Sequence, residues 1–390
     1  MSIAPAGVTT STAASAQPDR FNFHALRVSR LDRDTDDAVV ISFDVPESLR
    51  PLFSFEPGQY LTLRALLQGE EVRRSYSICS GQGEPLRVGV RRIAQGQMSS
   101  WLHSQVEEGI LLEVMPPQGR FGAALLPWLG ARSSDQPLAA APHLLMIAAG
   151  SGITPILSLI RTALTYLPQA RVTLLYGNRQ VSSTLFREEL EDLKNRYLSR
   201  LTLHTVFSRE TVEAPADSPL AAGRLDADRL QLFMRTVIDP RSIHEVFVCG
   251  PHELNTQAPV ALAAVGIDPG HIHVERFGAP PTAQAAPVAA SRCGDAAQAR
   301  VALIRDGLTR EFDFQASDDS VLDAAARAGL DVPYSCKSGV CATCRCKLLE
   351  GEVRMERNFA LEPAEVQAGF ILSCQARPLS PRVVVSFDER

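Results

Sequence analysis

Four cysteines carry the most specific chemistry in this chain. Cys336, Cys341 and Cys344 crowd one short loop in the spacing C-x4-C-x2-C, and Cys374 follows thirty residues later. Soft thiolate donors suit iron–sulfur centres, and four of them at this spacing match the two irons of a [2Fe-2S] cluster. Ser338, Gly339 and Ala342 are small enough to let backbone N–H groups approach the cluster sulfurs and tune their electronics. The competing reading is structural zinc, which usually takes its ligands from two C-x2-C knuckles. Here the second knuckle is missing, because Cys374 stands alone in Leu372-Ser373-Cys374-Gln375. Cys346, two residues past a ligand, reads as a packing residue, and Cys79 and Cys293 as bystanders.

A second constellation is Gly150-Ser151-Gly152-Ile153-Thr154-Pro155, which follows the apolar run 144–149. Glycines between a buried strand and a helix let the backbone approach a pyrophosphate, and the helix N-terminus supplies N–H donors. Pro155 sits in the first turn, where its missing N–H is harmless. Cys249-Gly250-Pro251 ends a later strand, at the sheet edge where ligands of parallel sheets bind.

Two further segments could hold a flavin. Arg74-Ser75-Tyr76-Ser77 offers a guanidinium for a pyrophosphate, an aromatic face for a ring system and hydroxyls for ring nitrogens. An ordinary amphipathic strand is the plain alternative. The stretch from Gly96 to Leu102, containing Met98 and Ser99, reads as a loop opening a short helix. There a serine either caps the helix or meets a phosphate, and the two roles are compatible.

The elements that must position these residues fall into three segments. Residues 21–129 look all-β, with alternating stretches at 25–31, 37–45, 60–66 and 86–90 and turn signals such as Pro57-Gly58; a small antiparallel barrel is expected. Residues 143–278 alternate strands (144–149, 172–176, 201–207, 245–249 and a last one ending at 277) with helices (from 155, 184–195, 226–235 and to about 265), which predicts a covered parallel sheet. Residues 279–297 hold eleven Ala or Pro in nineteen positions and read as a linker. Residues 298–390 form a third, α+β unit, with strands at 299–304 and 382–387 and a helix at 320–328 ended by Gly329. Residues 1–20 read as a disordered tail and not as a signal peptide.

Composition excludes other classes. The net charge of −5 comes without any basic stripe, which argues against nucleic acid. No apolar run approaches the ~20 residues of a membrane span. Eight cysteines are too few for a disulfide scaffold in 390 residues, and a reducing cytoplasm fits them.

Arg74-x-Tyr76-Ser77, Gly150-x-Gly152-x-Thr154-Pro155 and Cys249-Gly250-Pro251, in this order, resemble the ferredoxin-NADP reductase superfamily. The C-terminal cysteine unit is similar to a plant-type ferredoxin of β-grasp fold, which narrows the resemblance to oxygenase reductases. Gly-Ser-Gly-Ile-Thr-Pro, Leu-Tyr-Gly-Asn-Arg, His-Val-Glu-Arg-Phe, Gly-Val-Cys-Ala-Thr-Cys and Leu-Ser-Cys-Gln-Ala look like the reductase subunits of phenylacetyl-CoA epoxidases, over about residues 21–390. The resemblance implies that Arg74 holds the FAD pyrophosphate, with Ser75 beside it. Tyr76 packs on the isoalloxazine and Ser77 lies near its reactive nitrogen. Ser99, with Met98, contacts the FAD phosphate, and Glu275 and Phe277 close the flavin site. Gly150, Gly152 and Thr154 meet the nicotinamide dinucleotide, and Cys249, with Gly250 and Pro251, lies near the carbon that loses hydride. Tyr76, Ser77 and Cys249 are therefore the residues expected at the reacting rings.

Ser208-Arg209 resembles the pair with which NADP-dependent reductases hold the 2′-phosphate, and Arg179 offers a second cation, so NADPH is expected ahead of NADH. The implied activity is electron transfer from NADPH through FAD and the [2Fe-2S] cluster to the di-iron oxygenase subunits of a multicomponent monooxygenase. The loop 337–340 is the expected donor surface. Other acceptors remain open, namely a ring-hydroxylating dioxygenase, a hydroxylase or an acyl desaturase. An iron–sulfur redox sensor is the alternative outside enzymes.

Overall fold

The computed structural model describes residues 21–130, 141–210, 220–278 and 295–389. The expected tail at 1–20, most of the expected linker and Cys293 lie outside these residues.

Six antiparallel strands make the first unit: β1 (His24–Thr35), β2 (Ala38–Asp44), β3 (Tyr60–Leu67), β4 (Glu70–Ser77), β5 (Arg87–Arg91) and β6 (Leu111–Gln118). Their order is β4-β3-β6-β1-β2-β5. An antiparallel bridge from Ile78 to Val88 joins the two edges, so the sheet closes on itself as the expected barrel. Alternation puts Leu61, Leu63, Val88 and Val114 inside.

The second unit is a parallel sheet of β7 (His143–Ala149), β8 (Arg171–Asn178), β9 (Leu201–Phe207), β10 (Glu245–Cys249) and β11 (Ile272–Glu275), ordered β11-β10-β7-β8-β9. The apolar run of β7 splits its side chains between two covered faces. Leu144, Met146 and Ala148 join the cluster under helices Ile153–Tyr166 and Arg187–Arg196. Leu145 and Ile147 face helices Ala227–Thr236 and His252–Ala263.

The helix expected from 184 starts at Arg187 instead. Phe186 stands before it in the left-handed region, φ 55°. A carboxylate from β1 holds it there, since Asp34 Oδ2 accepts the Phe186 N–H at 2.8 Å. The last strand stops at Glu275, two residues before the expected end, which leaves Phe277 exposed.

The third unit is a mixed sheet of β12 (Gln298–Arg305), β13 (Leu308–Gln315), β14 (Arg345–Glu350), β16 (Phe370–Leu372) and β18 (Arg382–Ser386), in the order β13-β12-β18-β14-β16. A two-stranded ribbon of β15 (Val353–Met355) and β17 (Ala376–Pro378) lies beside it. Ser320 caps the helix Val321–Arg327 by accepting the Asp323 N–H at 3.2 Å, and Gly329, at φ 76°, ends it as expected. Asp295, read from composition as linker, buries its carboxylate in this unit and pairs with Arg354 at 2.7 Å and Arg377 at 3.3 Å.

Candidate functional site

The cysteine loop follows the helix Val321–Arg327 and is wound tightly. Lys337 and Ala342 take left-handed φ values of 50° and 54°, and Gly339 takes 78°. A Cβ on Gly339 would lie 3.0 Å from the Arg357 carbonyl, so this position also needs glycine for space. The winding turns N–H groups toward sulfur: Ser338 N–H donates to Cys336 Sγ at 3.4 Å, and Gln375 Nε2 donates to Cys374 Sγ at 3.5 Å.

The thiols face each other as two pairs, Cys336 with Cys341 and Cys344 with Cys374. The hydrogen bond from Cys341, helped by the Ser338 N–H, pulls the Cys336 thiol down to about 5 against its burial. Cys344 lowers Cys374 in the same way. Among the described residues no three of His, Cys, Asp and Glu gather round one ion position. Two thiol pairs suit two irons with one pair each, whereas zinc needs four donors on a single centre. The donor set therefore fits a [2Fe-2S] cluster. Cys346 and Cys79 are buried, and burial pushes both thiols up, Cys79 to about 12, as expected of packing residues.

The Arg74–Ser77 segment lies on β4, paired with β3 so that Tyr60 faces Ser77, Leu61 faces Tyr76 and Leu63 faces Arg74. Arg74 is exposed and donates to the Arg73 carbonyl at 2.8 Å. Tyr76 is half-buried against the barrel core, and Ser77 is buried. Ser75 turns to the third unit and bonds Ser335 Oγ at 2.9 Å, beside the first cluster ligand. Met98, expected at the cofactor, has its side chain in the barrel core at 2% exposure. Only its backbone remains for a ligand. Ser99 Oγ accepts the Ile93 N–H at 3.1 Å and donates to the Gly96 carbonyl at 3.4 Å, closing its own loop.

The third unit is seated on this hairpin. Tyr60, at 6% exposure, sends its hydroxyl to the Cys341 carbonyl and, at 2.9 Å, to Thr343 Oγ1. Arg73, at 5% exposure, pairs with Asp331 at 3.0 Å and lies over the Tyr334 ring at 4.2 Å. Tyr334 donates to Glu71 at 3.2 Å, and Arg120 meets Glu365 at 3.1 Å. Ser338 and Val340 of the expected donor surface are half-buried, Gly339 is buried, and Lys337 is paired with Asp323 at 3.0 Å.

A groove of about 740 Å³ opens along the carboxyl edge of the parallel sheet. Gly150, Ser208, Arg209, Gly250 and Pro251, expected at the dinucleotide, line it, and so does Phe277, which was expected at the flavin. Arg179 lines it too and meets Asp37 at 3.5 Å. Gly152 and Thr154 do not reach the groove. A Cβ on Gly152 would come within 2.1 Å of the Cys249 carbonyl, so this position needs glycine to pack the loop against the end of β10. Thr154 is buried and donates to the Ser151 carbonyl at 3.0 Å.

Cys249 is buried behind Gly250, and burial with Glu275 nearby raises its thiol. Glu275, its register partner on β11, is half-buried, and desolvation lifts its carboxyl to about 8. Sequence reasoning missed Arg91, Arg224 and Arg276, which make the groove wall cationic. Arg276 sits inside the His-Val-Glu-Arg-Phe phrase, so the signal was present there. Tyr60 closes Pro57-Gly58-Gln59-Tyr60 and reads locally as nothing more than a strand start.

Three family models match in series: an oxidoreductase FAD-binding domain over residues 26–122, an oxidoreductase NAD-binding domain over 146–259 and a 2Fe-2S iron-sulfur cluster binding domain over 303–379. The chain is 45% identical to a component of the 1,2-phenylacetyl-CoA epoxidase of Escherichia coli (strain K12), covering 94% of this chain and 98% of that one. It is 35% identical to the ferredoxin reductase component of 3-ketosteroid-9-alpha-monooxygenase of Rhodococcus rhodochrous, over 93% and 96%. Among solved structures, phthalate dioxygenase reductase superposes with a TM-score of 0.53 over 94% of this chain and 98% of that one, at 23% identity, and shares the fold. With a closed barrel, a parallel sheet bearing a dinucleotide groove and paired thiols for two irons in one polypeptide, the chain belongs to the family of FAD-, NAD(P)H- and [2Fe-2S]-dependent oxidoreductases that serve as reductase components of oxygenases.

Proposed function

We propose that this reductase draws on NADPH and supplies a di-iron monooxygenase that epoxidises the aromatic ring of phenylacetyl-CoA, in the cytoplasm. The observation that carries this reading is the 45% identity to the phenylacetyl-CoA epoxidase component along nearly the whole of both chains. No helix among the described residues is long and apolar enough to cross a membrane.

When bound, the flavin accepts two electrons from the nicotinamide and releases them singly, and the cluster carries them onward. The chain's task is to hold the three groups in order. Arg91, Arg179 and Arg209 give the groove positive charge for phosphates, with Arg209 on the wall beside Ser208 for a 2′-phosphate. The Gly250-Pro251 turn bounds the nicotinamide end. Arg74, exposed on β4, is available to the FAD pyrophosphate, and Tyr76 and Ser77 offer a ring face and a hydroxyl to the flavin. Thr154 and Gly152 support the loop from behind. Glu275, whose carboxyl desolvation raises, stands at the end of β11 beside Cys249.

Reconstitution tests the partner. Purified chain, NADPH, O2, phenylacetyl-CoA and the oxygenase subunits should yield epoxide by mass. Reduction of ferricyanide without epoxide, alongside support of a ring-hydroxylating dioxygenase or a desaturase, would reassign the acceptor. Arg209→Ala tests the nucleotide. Losing a charge-assisted phosphate contact should raise KM for NADPH by about ten- to a hundredfold and leave KM for NADH nearly unchanged. Equal losses with both nucleotides would remove Arg209 from this role.

A further inference from the structure

We infer that Tyr60 is the positioning residue that holds the cluster loop against the flavin barrel while an electron crosses. Among the described residues its hydroxyl is the one barrel group that touches both the backbone of a cluster ligand, at the Cys341 carbonyl, and the side chain next to another, at Thr343 beside Cys344. Its main chain is the register partner of Ser77 on β4, so the residue spans from the flavin strand to the cluster loop.

The surroundings of Tyr60 are built for this reach. Gly119 lies beside the ring at φ 108°, and a Cβ there would sit 3.0 Å from Tyr60 Cδ1, so glycine leaves the space the ring occupies. The ring is buried, and its hydroxyl is met by two oxygen atoms at the far end. A buried hydroxyl without partners is costly, which makes the pair of contacts directional and ties their formation to docking. Ser75 bonds Ser335 at 2.9 Å one step along the same seam, so the loop is gripped just before Cys336 and just after Cys341. A single electron leaves the reduced flavin and arrives on the oxidised cluster. Tyr60 keeps its proton and is neither oxidised nor reduced.

This rests on the flavin and cluster assignment and not on the acceptor, so a failed epoxide reconstitution leaves it standing. The test is Tyr60→Phe in the full holoprotein, which keeps the ring and removes the hydroxyl. Anaerobic single turnover should show flavin bleaching by NADPH unchanged within about twofold, while cluster reduction falls about tenfold, the size expected from losing buried hydrogen bonds. Hydrogen exchange should show residues 341–343 losing protection while β12, β13 and β18 keep theirs. Iron and sulfide content should stay at wild-type levels. Unchanged cluster reduction would overturn the inference. So would loss of cluster content, because Tyr60 would then serve assembly of the centre and not its placement. Equal slowing of bleaching and cluster reduction would likewise assign Tyr60 to the flavin site and overturn the docking role.

Discussion

The flavin barrel has two neighbours and holds them by different means. Against the nucleotide unit it is continuous: Ala38, Val40, Phe121 and Leu125 of the barrel share one apolar cluster with Ile156, Leu159 and Ile160 of the parallel-sheet unit. Ion pairs reinforce that seam, Arg161 with Glu84 at 2.7 Å and Arg87 with Glu189 at 2.8 Å. Against the cluster unit the barrel shares no apolar cluster among the described residues; each keeps its own core. Among the described residues that seam includes Tyr60, Glu71, Arg73, Ser75, Arg120 and their polar partners. Apolar area fixes two bodies together, whereas a few hydrogen bonds and ion pairs confer orientation with little affinity. The two seams thus differ in kind: the nucleotide unit is joined to the barrel through a common apolar core, and the cluster unit through polar contacts.

Four experiments bear on this contrast. The largest effect is expected from Cys341→Ser, which should remove iron and sulfide yet leave FAD bound and ferricyanide reduction intact, because the welded pair does not need the third unit. Retention of full iron content would show that Cys341 is not a ligand. Next is Leu159→Ala in the shared cluster, expected to cost about 2–5 kcal/mol. Flavin release and loss of nucleotide-unit structure should coincide in a denaturant melt. Separate transitions would break the idea of one welded body.

A smaller effect is expected from pH. Burial, with Arg171 nearby, lowers the His143 imidazole to about 4, and its ring nitrogens meet Ser242 and Thr173. The unfolded chain takes up this proton near pH 6.5 while the folded chain resists until about 4. The welded pair should therefore lose stability as pH falls from about 6.5 to 4, and His143→Gln should flatten the slope in Tm. The smallest effect is expected from Asp331→Asn, which removes an exposed partner of Arg73. At low salt it should change cluster reduction by no more than about fivefold, and at about 0.5 M salt the difference should vanish. A large effect that persists in salt would mean the docking seam is tighter than its contacts suggest.

The residues that proved legible in the sequence act within a few positions of each other. The Cys336–Cys344 spacing, Gly150–Pro155 and Cys249–Pro251 each state a local backbone need, and the 2.0 and 3.6 periodicities around them outline the three units. What escaped was set by distant partners. Tyr60 is identified by a loop 281 residues away, and Arg73 by Asp331 at a separation of 258. Phe186 starts its helix late because of an aspartate 152 residues earlier. The need for glycine at 152 has a second, distant cause, since a side chain there would strike the Cys249 carbonyl. Met98 looks available in a short polar stretch, but its side chain fills the barrel core, while Ser99 also closes its own turn.

The grip of Tyr60 on Cys341 and Thr343 also sets a rhythm for the molecule. That end of the cluster loop is covered by the barrel, so an acceptor that used the same face would have to wait for the seam to open, once for each electron of a hydride pair.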